Sequence, residues 1–196
     1  MESSEKYVDL AETLGQLKIH APQSFEEFCT MFLGFNFIDF DNHFRLSGII
    51  VKQKEFMSVP VFRGKFIAEL LLWGPDTCTP IYDHHKFDMR IKVLKGLLTE
   101  VLYRENENFI EYDGVFTSLP GHVFPQKEYG IHSMINGSGG SSVSLHLYNT
   151  TDFVVSDFRL FDTALRKVFK MSGNSDSYTW YQADSLTAEV VKTELE

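Results

Sequence analysis

The chain has 196 residues, with 27 acidic against 18 basic side chains and a net charge of −9. That balance argues against a nucleic-acid or anionic-membrane partner, because either requires a concentrated basic face. Hydrophobic residues make up 43%, a globular composition, and the length supports one well-buried core rather than two.

The cysteines are Cys29 and Cys78; Cys29 falls at apolar spacing within a predicted helix and reads as a buried free thiol. The N-terminal Met1-Glu2-Ser3-Ser4-Glu5-Lys6 has no apolar signal region. No stretch approaches the ~18 apolar residues that a membrane helix needs. These features predict a cytoplasmic protein with both thiols reduced.

Tyr7, Leu10, Leu14 and Leu17 recur at three- and four-residue steps, which predicts an amphipathic helix over 4–19. Pro22 interrupts it. Ser24, with Glu27 three residues on, forms a capping box and starts a second helix. Its apolar stripe, Phe25, Phe28, Met31 and Phe32, is expected to pack against the rest of the fold.

From about Phe37 the period shifts toward two. Segments near 46–51, 56–62, 66–73, 89–95, 97–104, 109–118, 122–125, 131–135, 141–148 and 153–161 read as strands. Turns rich in Gly, Asn and Asp separate them, including Gly74-Pro75-Asp76, Asp113-Gly114 and the hairpin run Gly137-Ser138-Gly139-Gly140. Many short strands with regular turns predict a sandwich or barrel. After Asp162 the alternation fades, so one domain is expected over 1–170, with a helical part at 1–35 and a β-barrel over 37–162. Residues 171–196 read as a linker and a partly disordered tail, in which Tyr178, Trp180 and Tyr181 are placed to cap the barrel.

Three separate β-like segments carry an imidazole or a phenol at alternating positions. They are Pro80-Ile81-Tyr82-Asp83-His84, Gly130-Ile131-His132 with Asn136, and Ser144-Leu145-His146-Leu147-Tyr148. A strand points every second side chain to one face, so Tyr82 shares a face with His84, and His146 with Tyr148. Convergence of such faces in a barrel mouth would gather ligands for a metal, with His84 and His132 as the leading pair. The third ligand stays open between Tyr82, which faces the same way as His84, and Asp88, which would complete a two-histidine, one-carboxylate set. The pleat points His85 away from His84. His20, His43 and His122 have no partner at useful spacing, and no hydrolase nucleophile motif is present.

The pairing of His84 with His132 matches the two-part histidine signature of the cupin barrels. Together, Trp73-Gly74, Pro80-Ile81-x-Asp83-His84, Lys92-x-Leu94-x-Gly96, Gly130-x-His132-x-x-x-Asn136 and Ser144-Leu145-His146-Leu147-Tyr148 resemble the cysteine dioxygenase family of thiol dioxygenases, over about 66–148. The resemblance implies a mainly β, cupin-type barrel or jelly roll with two N-terminal α-helices packed on its outside. It implies an iron(II) oxygenase that adds O2 to the sulfur of a small thiol to give a sulfinic acid, working as a monomer. The family holds iron with three histidines; here Tyr82 stands where the first would be. Tyr148 matches the family's active-site tyrosine, with His146 beside it as a hydrogen-bonding partner. Met89 occupies the position of the crosslinking cysteine found in some members. The stretch Phe56-Met57-Ser58-Val59-Pro60 lacks the arginine that clamps a substrate carboxylate, and Arg63 lies beyond it. Two alternatives follow from these departures: a non-catalytic cupin that binds a small molecule, or an oxygenase with a rewired Tyr/Asp metal site acting on a different substrate.

Overall fold

The structure, a computed structural model, describes residues 9–83, 87–107, 109–126, 130–151, 158–171 and 187–192. His84 and His85 lie outside the described residues, as do 4–8 of the first expected helix, 153–157 of the last expected strand, and Tyr178, Trp180 and Tyr181.

Helix α1 (Leu10–Ile19) starts from an Asp9 cap, and α2 (Phe25–Leu33) from Ser24, as its sequence predicts. The Ser24 hydroxyl accepts the Glu27 N–H at 3.1 Å, while the Glu27 carboxylate reaches back to the Gln23 N–H at 2.7 Å. A further helix, α3 (Phe37–Phe44), occupies a segment expected to turn toward strand. Its cause is local: Asn36 accepts the Ile38 N–H, and the Asp39 carboxylate accepts the Asn36 N–H at 2.7 Å. Among the described residues three helices, not two, therefore pack on the barrel. Leu46–Gly48 is a 3-10 turn rather than a strand, and Ile50, in the expected strand, is 90% exposed.

The remaining expectation of short alternating strands holds. One sheet combines β1 (Phe56–Arg63), β2 (Ile67–Trp73), β4 (Met89–Lys95), β7 (Val123–Gln126) and β9 (Ser142–Tyr148). The other contains β3 (Ile81–Asp83), β5 (Leu98–Glu105), β6 (Ile110–Ser118), β8 (Ile131–Ile135), β10 (Arg159–Asp162), β11 (Lys167–Met171) and β12 (Thr187–Lys192). Their orders are β1-β2-β9-β4-β7 and β12-β11-β10-β3-β8-β5-β6, with antiparallel pairing throughout. This is a jelly roll. Strand β12, within the expected tail, pairs with β11. Pro60 sits on the edge strand β1 at a register shift, where a missing backbone donor is tolerated. No described helix is long and apolar enough to cross a membrane.

Strand alternation divides the core. Ala68, Leu70 and Leu72 of β2 and Val143, Leu145 and Leu147 of β9 pack with Phe28, Phe32 and Phe40 of the helices. The intervening residues, Ile67 and Trp73 of β2 and Tyr148 of β9, belong to clusters with Tyr82, Met89, Ile91, Leu98, Met134 and Leu160, between the two sheets. Each fully buried apolar side chain contributes roughly 1.5–3 kcal/mol. Lys92 fastens helices to sheet: its ammonium donates to the carbonyls of Leu33 at 2.6 Å and Phe35 at 2.7 Å, at the C-terminal end of α2, where a cation is favoured. Burial lowers its pKa.

Several motif residues thus have structural work. Buried Asn136 donates to the carbonyls of Gly74 and Gly140 at 2.8 Å each and accepts from the Ser142 hydroxyl at 2.8 Å, stapling the 137–140 turn to the sheet. Gly96 has φ +77°, and a Cβ there would overlap Ser142. Asp83, with no exposed surface, accepts from the Arg159 guanidinium at 2.6 Å and the Arg159 backbone N–H at 3.1 Å, joining β3 to β10. We expect Asp83→Ala to destabilise the fold by about 1–3 kcal/mol, because it removes the buried acceptor of the Arg159 guanidinium and backbone N–H and leaves the guanidinium to Glu105. Urea unfolding measures this, and a loss below about 1 kcal/mol would show that the pair does not hold β3 in place.

Candidate functional site

Strand register gathers the site. Tyr82 of β3 is the cross-strand partner of His132 on β8, so the two share one face, and their ring centroids lie 4.7 Å apart. Tyr82 is 8% exposed and packs in the cluster between the sheets with Phe87, Met89, Tyr148 and Phe158. Phe158 stacks on Tyr82 at 5.9 Å, and Phe87 meets Tyr148 edge-on at 5.8 Å. Tyr82 and His132 therefore face the interior together with Tyr148, as the alternation predicts. His84, the other histidine of the expected pair, lies outside the described residues.

His132 is fully buried, and its Nδ1 lies 2.6 Å from Glu100 Oε1. The same oxygen accepts a hydrogen bond from the Gln126 amide. Glu100 stands on β5, two residues from Leu102, the cross-strand partner of His132, so both point inward. Gln126 comes from β7 of the opposite sheet. Sequence reasoning missed both residues. The available signal was phase: Leu98, Glu100 and Leu102 alternate together, which puts an acid at an inward position where it must find donors.

From the other sheet come Trp73, Ser144, His146 and Tyr148. The Trp73 indole N–H donates to Ser144 Oγ at 2.8 Å, and that hydroxyl lies 2.8 Å from His146 Nε2. The indole N–H occupies one lone pair of that hydroxyl, which bonds to Nε2 through its proton or its second lone pair. Tyr148 is the partner expected for His146; the hydrogen bond observed at its Nε2 is with Ser144. Residues two apart on a strand stand side by side, and the rings of His146 and Tyr148 lie 6.1 Å apart at 26°. Burial, with His132 nearby, depresses the His146 pKa to about 3.

Burial, reinforced by the Glu100 charge, pushes the Tyr82 phenol well above its ordinary range. As a phenolate ligand it would need a cation to offset both effects. Asp88 is exposed between buried Phe87 and Met89, so alternation puts its carboxylate outside the face that His132 occupies. Among the described residues no three His, Cys, Asp or Glu side chains are grouped to hold a metal. The residues that fit iron are His132, an imidazole with its Nδ1 engaged, and the phenol oxygen of Tyr82. Met89 is buried in the interior beside Tyr148 but carries no thiol, so no thioether crosslink arises from that position.

The expected absence of an arginine on 56–60 has a counterpart in space. Glu69, on the interior phase of β2 and in register with His146, is 5% exposed. It accepts from the Arg63 guanidinium at 2.7 Å and the Ser58 hydroxyl at 3.1 Å. The Arg63 charge at the rim is thus already matched by a buried carboxylate.

A family model for cysteine dioxygenase type I matches residues 39–159. Among solved structures, the chain is similar to the Cnp3 cupin domain of Schizosaccharomyces pombe, at 14% identity and a TM-score of 0.44, covering 54% of this chain and 71% of that one. It is also similar to a cupin superfamily protein of Desulfitobacterium hafniense, at 14% identity and a TM-score of 0.42, covering 52% and 83%. An oxalate oxidase in complex with the substrate analogue glycolate matches at 14% identity and a TM-score of 0.42, covering 50% of this chain and 51% of that one.

The depressed pKa of His146 has a pH signature. An unfolded histidine takes up its proton near 6.5, whereas His146 in the fold does so only near 3. The unfolded state therefore binds more protons between those values, and stability is lost as pH falls through the window, by roughly 1.4 kcal/mol per pH unit. Between pH 6 and 5 the parent protein should lose about 1 kcal/mol more than His146→Gln, read by urea unfolding. Equal losses would mean that His146 is charged in the fold.

Proposed function

The chain belongs to the cysteine dioxygenase type I family, and on that premise we propose that it is an iron(II)-dependent thiol oxygenase. The observation that carries this reading is the cross-strand pair of Tyr82 and His132 on the barrel interior, 4.7 Å apart and packed with Tyr148. His132 and His84 would hold the iron, with Tyr82 at the third position. Iron(II), when bound, supplies the one-electron chemistry that lets O2 react with a thiolate. Both oxygen atoms pass to the sulfur, the S–H proton is released to solvent as the thiolate forms, and the sulfur is oxidised to a sulfinate while O2 is reduced.

The chain's own residues prepare that reaction. The aromatic wall of Phe87, Tyr148 and Phe158 excludes water, which strengthens every charge interaction inside. The Tyr148 hydroxyl is the group for orienting substrate or oxygen. His146, neutral down to about pH 3, serves as a fixed dipole rather than a proton donor of changing charge. Its orientation is set by the relay from Trp73 through Ser144.

The substrate is a small thiol without a carboxylate that must be clamped. Glu69 already engages Arg63, so a buried substrate carboxylate would lack a bidentate partner, and an unpaired buried charge is costly. The iron-loaded protein should therefore oxidise cysteamine at least about tenfold more efficiently, in kcat/KM, than cysteine or 3-mercaptopropionate; tenfold is worth roughly 1.4 kcal/mol. Oxygen uptake with the three thiols side by side tests this, with mass spectrometry of the sulfinate product. Saturable oxidation of cysteine at low concentration would contradict it.

The raised phenol pKa of Tyr82 favours a second reading, an impaired site that keeps iron poorly. Tyr82→His replaces a group that must lose a proton by one that binds iron(II) neutral. On either reading we expect iron affinity and thiol-dependent oxygen uptake to rise, affinity by about tenfold or more. A parent protein with substoichiometric iron and no uptake, restored by Tyr82→His, identifies the impaired site. No gain in affinity would show that Tyr82 is not a ligand.

A further inference from the structure

Glu100 and Gln126 lie outside every motif that carries the family resemblance, yet they meet His132 at the centre of the barrel. The Glu100 side chain is 6% exposed and that of His132 not at all, so water does not satisfy either group. A buried carboxylate is stable only when donors surround it. Here a single oxygen, Oε1, receives donors from two directions: the Gln126 amide from the opposite sheet and His132 Nδ1 at 2.6 Å.

Oε1 already accepts from the Gln126 amide, and an oxygen in that role takes Nδ1–H as its second donor. In that arrangement the lone pair of the His132 ring lies on Nε2. It also places Glu100 behind the ring relative to Nε2, and so outside the first shell of any ion on that nitrogen. We propose that Glu100 is a positioning residue for the metal, acting through His132. It holds the imidazole in the Nδ1–H form, raises the donor strength of Nε2, and is itself braced across the sheets by Gln126. Carboxylate partners of this kind typically change metal affinity by about 10–100-fold. The inference rests on the metal reading above, and its test separates the two.

The first measurement needs no variant. In metal-free parent protein, long-range 15N–1H NMR of the imidazoles, assigned by comparison with His132→Gln, should show His132 protonated on Nδ1. An Nε2–H tautomer would overturn the proposal. The second measurement is Co(II) affinity by chelator competition, with the Co(II) visible spectrum as a check on the ligand field. Glu100→Gln keeps an acceptor oxygen of the same reach but removes the charge. It should bind Co(II) about 10–100-fold more weakly than the parent, with an altered spectrum and an unchanged far-UV circular dichroism signal. Parent and Glu100→Gln affinities equal within about twofold would overturn the role of Glu100 while leaving the metal site standing. A parent that binds no Co(II), in a preparation where the Nδ1–H tautomer is confirmed, would instead remove the metal reading and the proposal with it. Should Glu100→Gln fail to fold, Gln126→Leu leaves the carboxylate in place without its brace. It is expected to weaken Co(II) binding less than tenfold, and a larger loss would show that the amide rather than the carboxylate controls the ring.

Discussion

The interior of this barrel is not an oil drop, and the need to satisfy its buried polar groups constrains everything around it. Glu100, Gln126 and His132 join the two sheets, while Trp73, Ser144 and His146 form a second relay on the five-stranded side. Glu69, Ser58 and Arg63 make a third set at the rim. Each buried donor or acceptor left unpaired would cost about 1–3 kcal/mol. The register of β3, β5 and β8 is therefore held by more than apolar packing: a slip of one residue would turn Tyr82, His132 and Glu100 outward together. The same constraint that fixes the strands fixes the chemistry.

Much of this was legible in the chain. Period-two alternation gives β1, β2 and β4 to β9 within a residue or two, but not β11 and β12, which lie beyond Asp162 where the alternation fades. It also puts Tyr82 and His132 inward, because a face is a property of spacing alone. The Ser24 cap of α2 was readable for a similar reason, since its signal is local. Helix α3 carried the same kind of local signal in Asn36 and Asp39, but the dense run of Phe and Ile around it reads equally as the onset of strand. Over 46–51 the alternation has no sheet partner, and a 3-10 turn results.

What was hidden is what depends on distance in sequence. Glu100 lies 32 residues from His132 and 26 from Gln126, and nothing nearby marks it as more than an acid in a strand. The pairing of Arg63 with Glu69 changes the meaning of an arginine that looked merely displaced from the clamp. His146 looked like a partner for Tyr148 because both share a face; the serine two residues earlier takes that bond instead. Asp88 was attractive by spacing and is set aside by the pleat between Phe87 and Met89.

Tyr82 concentrates the chemical question. In the proposed site it takes the first-histidine position with a side chain whose ionisation is opposed by burial and by Glu100, so metal binding through it would require phenol deprotonation. The most direct measurement of the central claim is anomalous diffraction from crystals loaded anaerobically with Co(II). The account predicts a dominant peak inside the barrel at roughly 2.0–2.2 Å from His132 Nε2, on the side of the ring away from Glu100. A peak on Nδ1, or cobalt found only on the surface, would contradict it.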